Sequence, residues 1–200
     1  MEMDSLQKLY EDHLKDLHSV ERQIIQALPK MIKAAEDEEL SSALEEHLEV
    51  TREQLTRLDD IFEKLGKRGT GKKCKGMEGI LEEGKELLEK DADADVLDAG
   101  IISAAQHVEH YEMAGYGTAA TYARLLGERE AEKLLRQSLD EEKEADQKLS
   151  QLAESRINLE ATDGDGVQAA NGNSRSGSSK SSRGKRRNNS SGTSPRLMRV

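Results

Sequence analysis

Residues 104–127, AAQHVEHYEMAGYGTAATYARLLG, decide how this chain folds. At about 100° per residue, as in an α-helix, Ile101, Ile102, Ala105, Val108 and Tyr116 share one face. Glu109 and Glu112 fall in that same apolar sector, whereas His107 and His110 fall on the far side. The helix thus carries two carboxylates where a buried face normally carries leucine, and its conspicuous histidines point to water. Buried carboxylates are costly unless a cation or a set of hydrogen-bond donors compensates them.

Three further segments repeat this construction. A first helix is expected from about residue 4, with Asp4 as N-cap, to about residue 35. Its stripe is Leu6, Leu9, Tyr10, Leu14, Leu17, Ile24, Leu28 and Ile32, with Glu21 inside the stripe and Pro29 predicting a kink. A second helix spans about residues 40–65, is stopped by Gly66, and turns His47, Thr51 and Gln54 inward with Leu48, Leu55 and Leu58. Glu46, Glu49 and Glu53 face outward. The third helix begins near Asp93 or Asp95 and ends before Gly127, and the fourth runs over about 128–157. On the fourth, Glu142 lies among Leu134, Leu135, Leu149 and Leu152, Asp146 lies at the sector's edge, and Glu141 and Glu144 lie off it.

Depth supports angle. Glu21, Thr51, Glu109 and Glu142 sit near the middles of their helices, and in an antiparallel bundle those midpoints coincide in height. The candidate metal ligands are therefore Glu21, His47, Glu109, Glu112, Glu142 and Asp146. Thr51 and Gln54 are expected as buried hydrogen-bonding groups. Tyr116, one turn from Glu112, is placed to donate to a ligand carboxylate. His13 is expected as a satisfied core histidine and His18 as a solvated one.

The connection between the second and third helices sets the topology. A glycine- and lysine-rich stretch, residues 66–76, precedes a short amphipathic segment, MEGILEEGKELLEK, at about residues 77–90. A link of about 30 residues can carry the chain from one end of a bundle to the other, as in ferritin-like bundles with one crossover. The expected fold is all-α: a ferritin-like four-helix bundle over residues 1–160, with a long crossover carrying a short extra helix. Residues 161–200 lose all apolar periodicity and read as a disordered basic Ser/Gly/Arg-rich tail. The net charge of -10 divides unevenly: residues 1–160 hold 22 Lys and Arg against 38 Asp and Glu, and residues 161–200 hold 8 against 2.

The single Cys74 excludes an internal disulfide, the N-terminal residues lack the apolar core of a secretory signal, and no run approaches the roughly 18 apolar residues of a membrane span. A cytoplasmic, reducing compartment is expected, without membrane insertion. Cys74 lies in a basic loop, KRGTGKKCKG, whose charge favours the thiolate. The simpler reading is an incidental loop cysteine.

The stretches LYEDHLKDLHSVERQIIQALPKM, HLEVTREQLTRLDDIFEKLG, CKGMEGILEEGKELL, AAQHVEHYEMAGYGTAATYARLLG and LDEEKEADQKLSQLA closely resemble the bacterial YciE/YciF-type ferritin-like proteins, over about residues 5–155. The resemblance implies a bundle with an extra crossover helix, a homodimer, a role in stress responses and two bound metal ions, with no well-defined reaction. Position by position it implies Glu21 in VER, His47 in HLEVT, Glu109 and Glu112 in HVEHYE, and Glu142 and Asp146 in EEKEAD as ligands. Glu49 is an alternative on the second helix that its outward angle disfavours. Two departures stand out. No histidine follows a glutamate by three residues, as it does in di-iron bundles, and Ala145 holds that place after Glu142. Val50 stands where relatives often carry Glu or Gln.

Two functions follow. The first is a carboxylate-rich dinuclear site for Fe or Mn, with Glu112 or Glu142 bridging, Glu21 and Glu109 capping, and peroxide or O2 as the small oxidant. The reaction would be iron oxidation or peroxide reduction; iron storage would need a hollow shell. The alternative is a non-enzymatic dimeric stress or interaction protein with a vacant or vestigial metal site. Its tail would bind nucleic acid nonspecifically through phosphate contacts.

Overall fold

The structure is a computed structural model that describes residues 3–163. The basic segment beyond it, read above as a disordered tail, lies outside the described residues. Among those described, the chain forms α1 (Leu6–Ala34), α2 (Glu38–Lys64), α3 (Lys75–Leu88), α4 (Ala94–Leu126), α5 (Arg129–Leu152), a π-helical turn (Ala153–Ile157) and α6 (Asn158–Asp163), with no strand.

Local chemistry sets the ends of these helices. Lys8 N donates to Ser5 Oγ at 3.3 Å, so Ser5 caps α1 in place of Asp4. Leu40 N donates to Asp37 Oδ1 at 2.8 Å at the start of α2. Gly66 follows α2 at φ 62° and Gly127 closes α4 at φ 81°, the left-handed conformation that lets a helix stop abruptly. α1 continues through Pro29, which lies on its exposed side.

Packing follows a ring: α1 against α2, α2 against α5, α5 against α4, and α4 against α1, with α3 laid across α1 and α4. Short turns make α1 and α2 antiparallel, and α4 and α5 likewise. The direction of the crossover is fixed by Asp98 near the start of α4. Its carboxylate accepts from Glu36 N at 3.0 Å and Asp37 N at 2.8 Å, so α4 starts beside the α1–α2 turn, at the opposite end from the exit of α2. The expected all-α bundle with one long crossover and an extra helix is what the chain forms.

The apolar core is in two parts. One part gathers Val20, Ile24, Leu28, Leu44, Met77, Ile101, Val108 and Leu149, and the other gathers Tyr10, Leu14, Leu17, Leu58, Phe62, Tyr116, Ala119 and Leu135. The buried polar residues near the middles of the four long helices fall where the two parts meet. The small residues of α4 bring it close to α1: a Cβ at Gly115 would lie 2.8 Å from Leu17 Cδ2.

Several expectations need correction. Leu9 is 38% exposed and lies outside the core. His18 is buried, because the crossover loop covers it: its Nε2 lies 3.0 Å from Asp59 Oδ1, Phe62 packs edge-on, and Gly69 abuts the ring. Cys74 is also buried, with Sγ 3.0 Å from Tyr111 Oη, and its own N–H donates to Ser19 Oγ at 2.9 Å. His13 lies 3.0 Å from the Gly115 carbonyl through Nε2, as a satisfied histidine should.

Candidate metal centre

Between the two apolar parts the four long helices contribute one polar layer. Glu21 comes from α1, His47, Thr51 and Gln54 from α2, Glu109 and Glu112 from α4, and Glu142 from α5, all of them buried. The three-residue spacing of Glu109 and Glu112 puts both on one face of α4. His47, Glu109, Glu112 and Glu142 each offer a ligand atom within 4.8 Å of the others. His47 Nε2 lies 3.4 Å from Glu109 Oε1 and 3.9 Å from Glu142 Oε2.

Hydrogen bonds from the periphery hold this group. Tyr116 Oη donates to Glu21 Oε1, fulfilling the role read for it on a neighbouring carboxylate. Gln54 Nε2 donates to Glu142 Oε1 and, at 3.2 Å, to Glu141 Oε2. Thr51 Oγ1 donates back to the His47 carbonyl at 2.8 Å, so it serves the helix and leaves the ligand role to others. Arg57 donates to both Glu141 oxygens, at 2.5 and 2.8 Å, and to Ser138 Oγ at 3.1 Å.

Burial dominates the electrostatics. It pushes the Glu21 carboxyl up to about 8, with the charge of Glu142 adding to it and the bond from Tyr116 opposing. Glu109 is held well above the usual carboxylate range by burial and by its contact with Glu142, and Glu112 by burial and the charge of Glu21. The His47 imidazole is lowered by burial against the opposing pull of Glu142.

The chemistry of the donor set fits a cation. Glu21 Oε2, His47 Nε2, Glu109 Oε2, both Glu112 oxygens and Glu142 Oε2 are buried without a hydrogen-bond partner among the described residues. Folded proteins seldom leave buried polar atoms unpartnered. The carboxylates and the imidazole that converge in this buried layer could hold a metal ion.

Of the six sequence-predicted ligands, four form the converging group, and Glu21 lies buried in the same layer, where its charge acts on Glu112 and Glu109. Asp146 is not brought in. It is half-buried on the outer α4–α5 seam, where its Oδ1 accepts from Gln106 Nε2 at 3.0 Å and lies 3.3 Å from His110 Nε2. Glu49 is exposed and paired with Arg52, and His107 is exposed and turned to the Ser103 carbonyl. Sequence reasoning missed the supporting set of Arg57, Glu141 and Ser138. The available signal was a guanidinium three residues beyond the inward Gln54.

Known proteins give this layer a context. The family described as a domain of unknown function (DUF892) matches residues 5–162. Protein YciF of Escherichia coli (strain K12) is 43% identical over 162 residues, covering 80% of this chain and 98% of that protein. The crystal structure of the E. coli stress protein YciF aligns with a TM-score of 0.75 at 43% identity, over 78% of this chain and 99% of that one. The YcfI protein from Rhodopseudomonas palustris aligns at 0.72 and 42% identity, covering 74% and 95%. A Xanthomonas campestris protein, 20% identical with a TM-score of 0.65 and coverage of 81% and 99%, shares the fold.

Proposed function

The chain belongs to the DUF892 family, and on that premise we propose that its bundle is a metal-binding stress protein holding a pair of Fe or Mn ions in the polar layer. The observation that carries this reading is the set of buried, unpartnered donor atoms on Glu21, His47, Glu109, Glu112 and Glu142. Charge supports a pair over a single ion. Four ionised carboxylates are balanced by two divalent cations, and the nearby guanidinium of Arg57 is already engaged by Glu141. Glu112, with both oxygens unpartnered, suits a bridging position; Glu21 and Glu109 suit capping ones.

When bound, redox-active ions would supply the two electrons that reduction of peroxide or O2 requires, which makes ferrous-iron oxidation or peroxide removal the reaction class proposed. The chain's own residues prepare the layer. Tyr116 fixes one Glu21 oxygen and leaves the other unpartnered, and Gln54 does the same for Glu142. Burial keeps protons on Glu21, Glu109 and Glu112 in the metal-free protein, and cation binding must release them.

The test is metal content by plasma mass spectrometry on protein purified without chelator and after anaerobic loading with Fe2+ or Mn2+, beside a Glu109→Ala, Glu142→Ala double variant. Two ions per chain, lost in the variant, is the expected result, followed by assays with ferrous iron and peroxide. One observation favours a second reading, a non-enzymatic helical protein with a vestigial site. The raised carboxyl values of Glu109 and Glu112 allow the layer to persist with protons in place of cations. Absence of bound metal in either protein after loading would select that reading. A homodimer, a cytoplasmic location and nonspecific nucleic-acid contact through the tail are also proposed, to be tested by sedimentation, fractionation and binding at low salt. No helix among the described residues is long and apolar enough to cross a membrane.

A further inference from the structure

We propose that the seam between α2 and α5 is the route by which a hydrated divalent cation reaches the polar layer, an inference that rests on the metal-binding reading above. A cavity of about 300 Å3 lies on this seam. Its outer wall carries the exposed Glu46, Glu144 and Lys148, and its inner end is formed by His47 and Glu109, which are 8% and 2% exposed. One cavity therefore brings solvent to the side chains of two members of the converging group, whose donor atoms are themselves covered. His47 Nε2 and Glu109 Oε2, at that inner end, have no hydrogen-bond partner among the described residues.

The cavity owes its width to small side chains. Val50 follows His47 by three residues and Ala145 follows Glu142 by three, and both line the space that longer donors would fill. Six waters occupy about 180 Å3 at about 30 Å3 each, so an ion entering with its full shell fits. The opposite approach, beneath α3, does not serve. An outer cavity of about 280 Å3 opens there beside Lys30, Lys73 and Lys85, but towards His47 and Glu109 it narrows to a void of about 10 Å3 walled mainly by Ile24, Leu28, Leu81 and Val108, an apolar constriction that opposes a charged ion.

Charge at the mouth points the same way. Glu141 is neutralised by Arg57, but Glu144 has no cation within salt-bridge reach among the described residues. Lys148 pairs with Glu46 across the seam, and both side chains are exposed, so the pair is weak and opens readily. The geometry is an acidic mouth with a loose latch, leading to unpartnered donors.

Mn2+ uptake by the metal-free full chain tests this, followed by loss of the free-ion electron paramagnetic signal after rapid mixing. Glu144→Lys should slow uptake by about fivefold at low ionic strength, and the difference should shrink with added salt. Lys148→Ala should accelerate it, and Ala145→Phe should slow it by about tenfold or more, whereas the two charge variants leave the final occupancy unchanged. Both charge variants lie on the surface and keep the test valid where Ala145→Phe fails to fold. Wild-type uptake rates in both charge variants, with normal final occupancy, would overturn the route and leave the site standing. Reduced final occupancy in either would also overturn it, by making those residues part of the binding set. No Mn2+ bound by the wild type at equilibrium would overturn the metal reading and the route together.

Discussion

Replacing Glu21 with Gln should stabilise the metal-free protein at neutral pH and flatten its dependence on pH. Burial and the charge of Glu142 raise the Glu21 carboxyl from 4.5 to about 8, so the folded chain keeps a proton that the unfolded chain releases. For a raised value, the stabilisation is complete below the unfolded value of 4.5 and is lost as pH climbs through the folded value of about 8. At about 1.4 kcal/mol per pKa unit the whole loss is about 5 kcal/mol, and about 3 kcal/mol of it falls between about pH 5.5 and about pH 8.5. For a body of this size that corresponds to a fall in Tm of about 6–12 °C. Glu109 and Glu112 are raised too and add to the slope in the same direction. Gln keeps the shape and an oxygen to accept from Tyr116, but it has no proton to lose. The assay is urea unfolding followed by circular dichroism, in chelator, at several pH values for both proteins. Added Mn2+ should reverse the wild-type slope, because cations bind the ionised carboxylates. A wild type that holds or gains stability from about pH 5.5 to about pH 8.5 without metal, or a Glu21→Gln slope identical to it, would refute the reasoning.

Asp98→Ala leaves the Glu36 and Asp37 N–H groups without their acceptor and should cost about 2–4 kcal/mol, with Asp98→Asn losing less, as read by denaturant midpoints. Gln54→Leu removes the donor that orients Glu142 and should weaken Mn2+ binding by about tenfold to a hundredfold in equilibrium titration, while the helical signal stays unchanged. The Cys74 thiol, buried against Tyr111, should react slowly with a disulfide reagent in the native protein. Gly76→Ala would place a Cβ 2.7 Å from Tyr111 Oη, so the phenol must move away from the thiol. Its labelling should quicken by about tenfold, the factor that about 1.4 kcal/mol of lost protection gives.

The polar layer was legible because it obeys the same periodicity as the core that surrounds it. Glu109 and Glu112 share a face with Val108 and Tyr116, and the angular argument that admitted them excluded His107 and His110, which are exposed. His47 was legible for the same reason. The method failed where a helix has more than one neighbour. α1 packs inward on the bundle and sideways on the crossover, where Gly69 lies on His18 and Lys72 bridges Asp12 and Asp16 at 2.6 and 2.7 Å. A wheel with one buried sector cannot show that second contact, so His18 read as solvated, and nothing in the basic loop around Cys74 signalled its burial against Tyr111. Asp146 failed differently. Four residues advance a helix by about 40° beyond a full turn, and at the edge of a sector nearby donors such as Gln106 decide where a carboxylate turns.

Arg57 shows how far internal compensation reaches. Its long side chain runs from the surface along α2 to Glu141 and Ser138, and its charge lowers Glu21 only as the last of several contributions. Glu53 and Glu141 both claim the same guanidinium. One shared cation cannot ionise four carboxylates in a layer bounded by apolar parts on both sides. The remaining charge must be supplied from outside the fold, by protons at low pH or by cations at neutral pH. Those two supplies compete for the same oxygens on Glu21, Glu109 and Glu112, so metal affinity and the pH dependence of folding are linked through these three residues. A substitution that removes the pH slope of the metal-free protein must then weaken cation binding as well. One that weakens binding from the periphery, such as Gln54→Leu, should leave most of that slope in place.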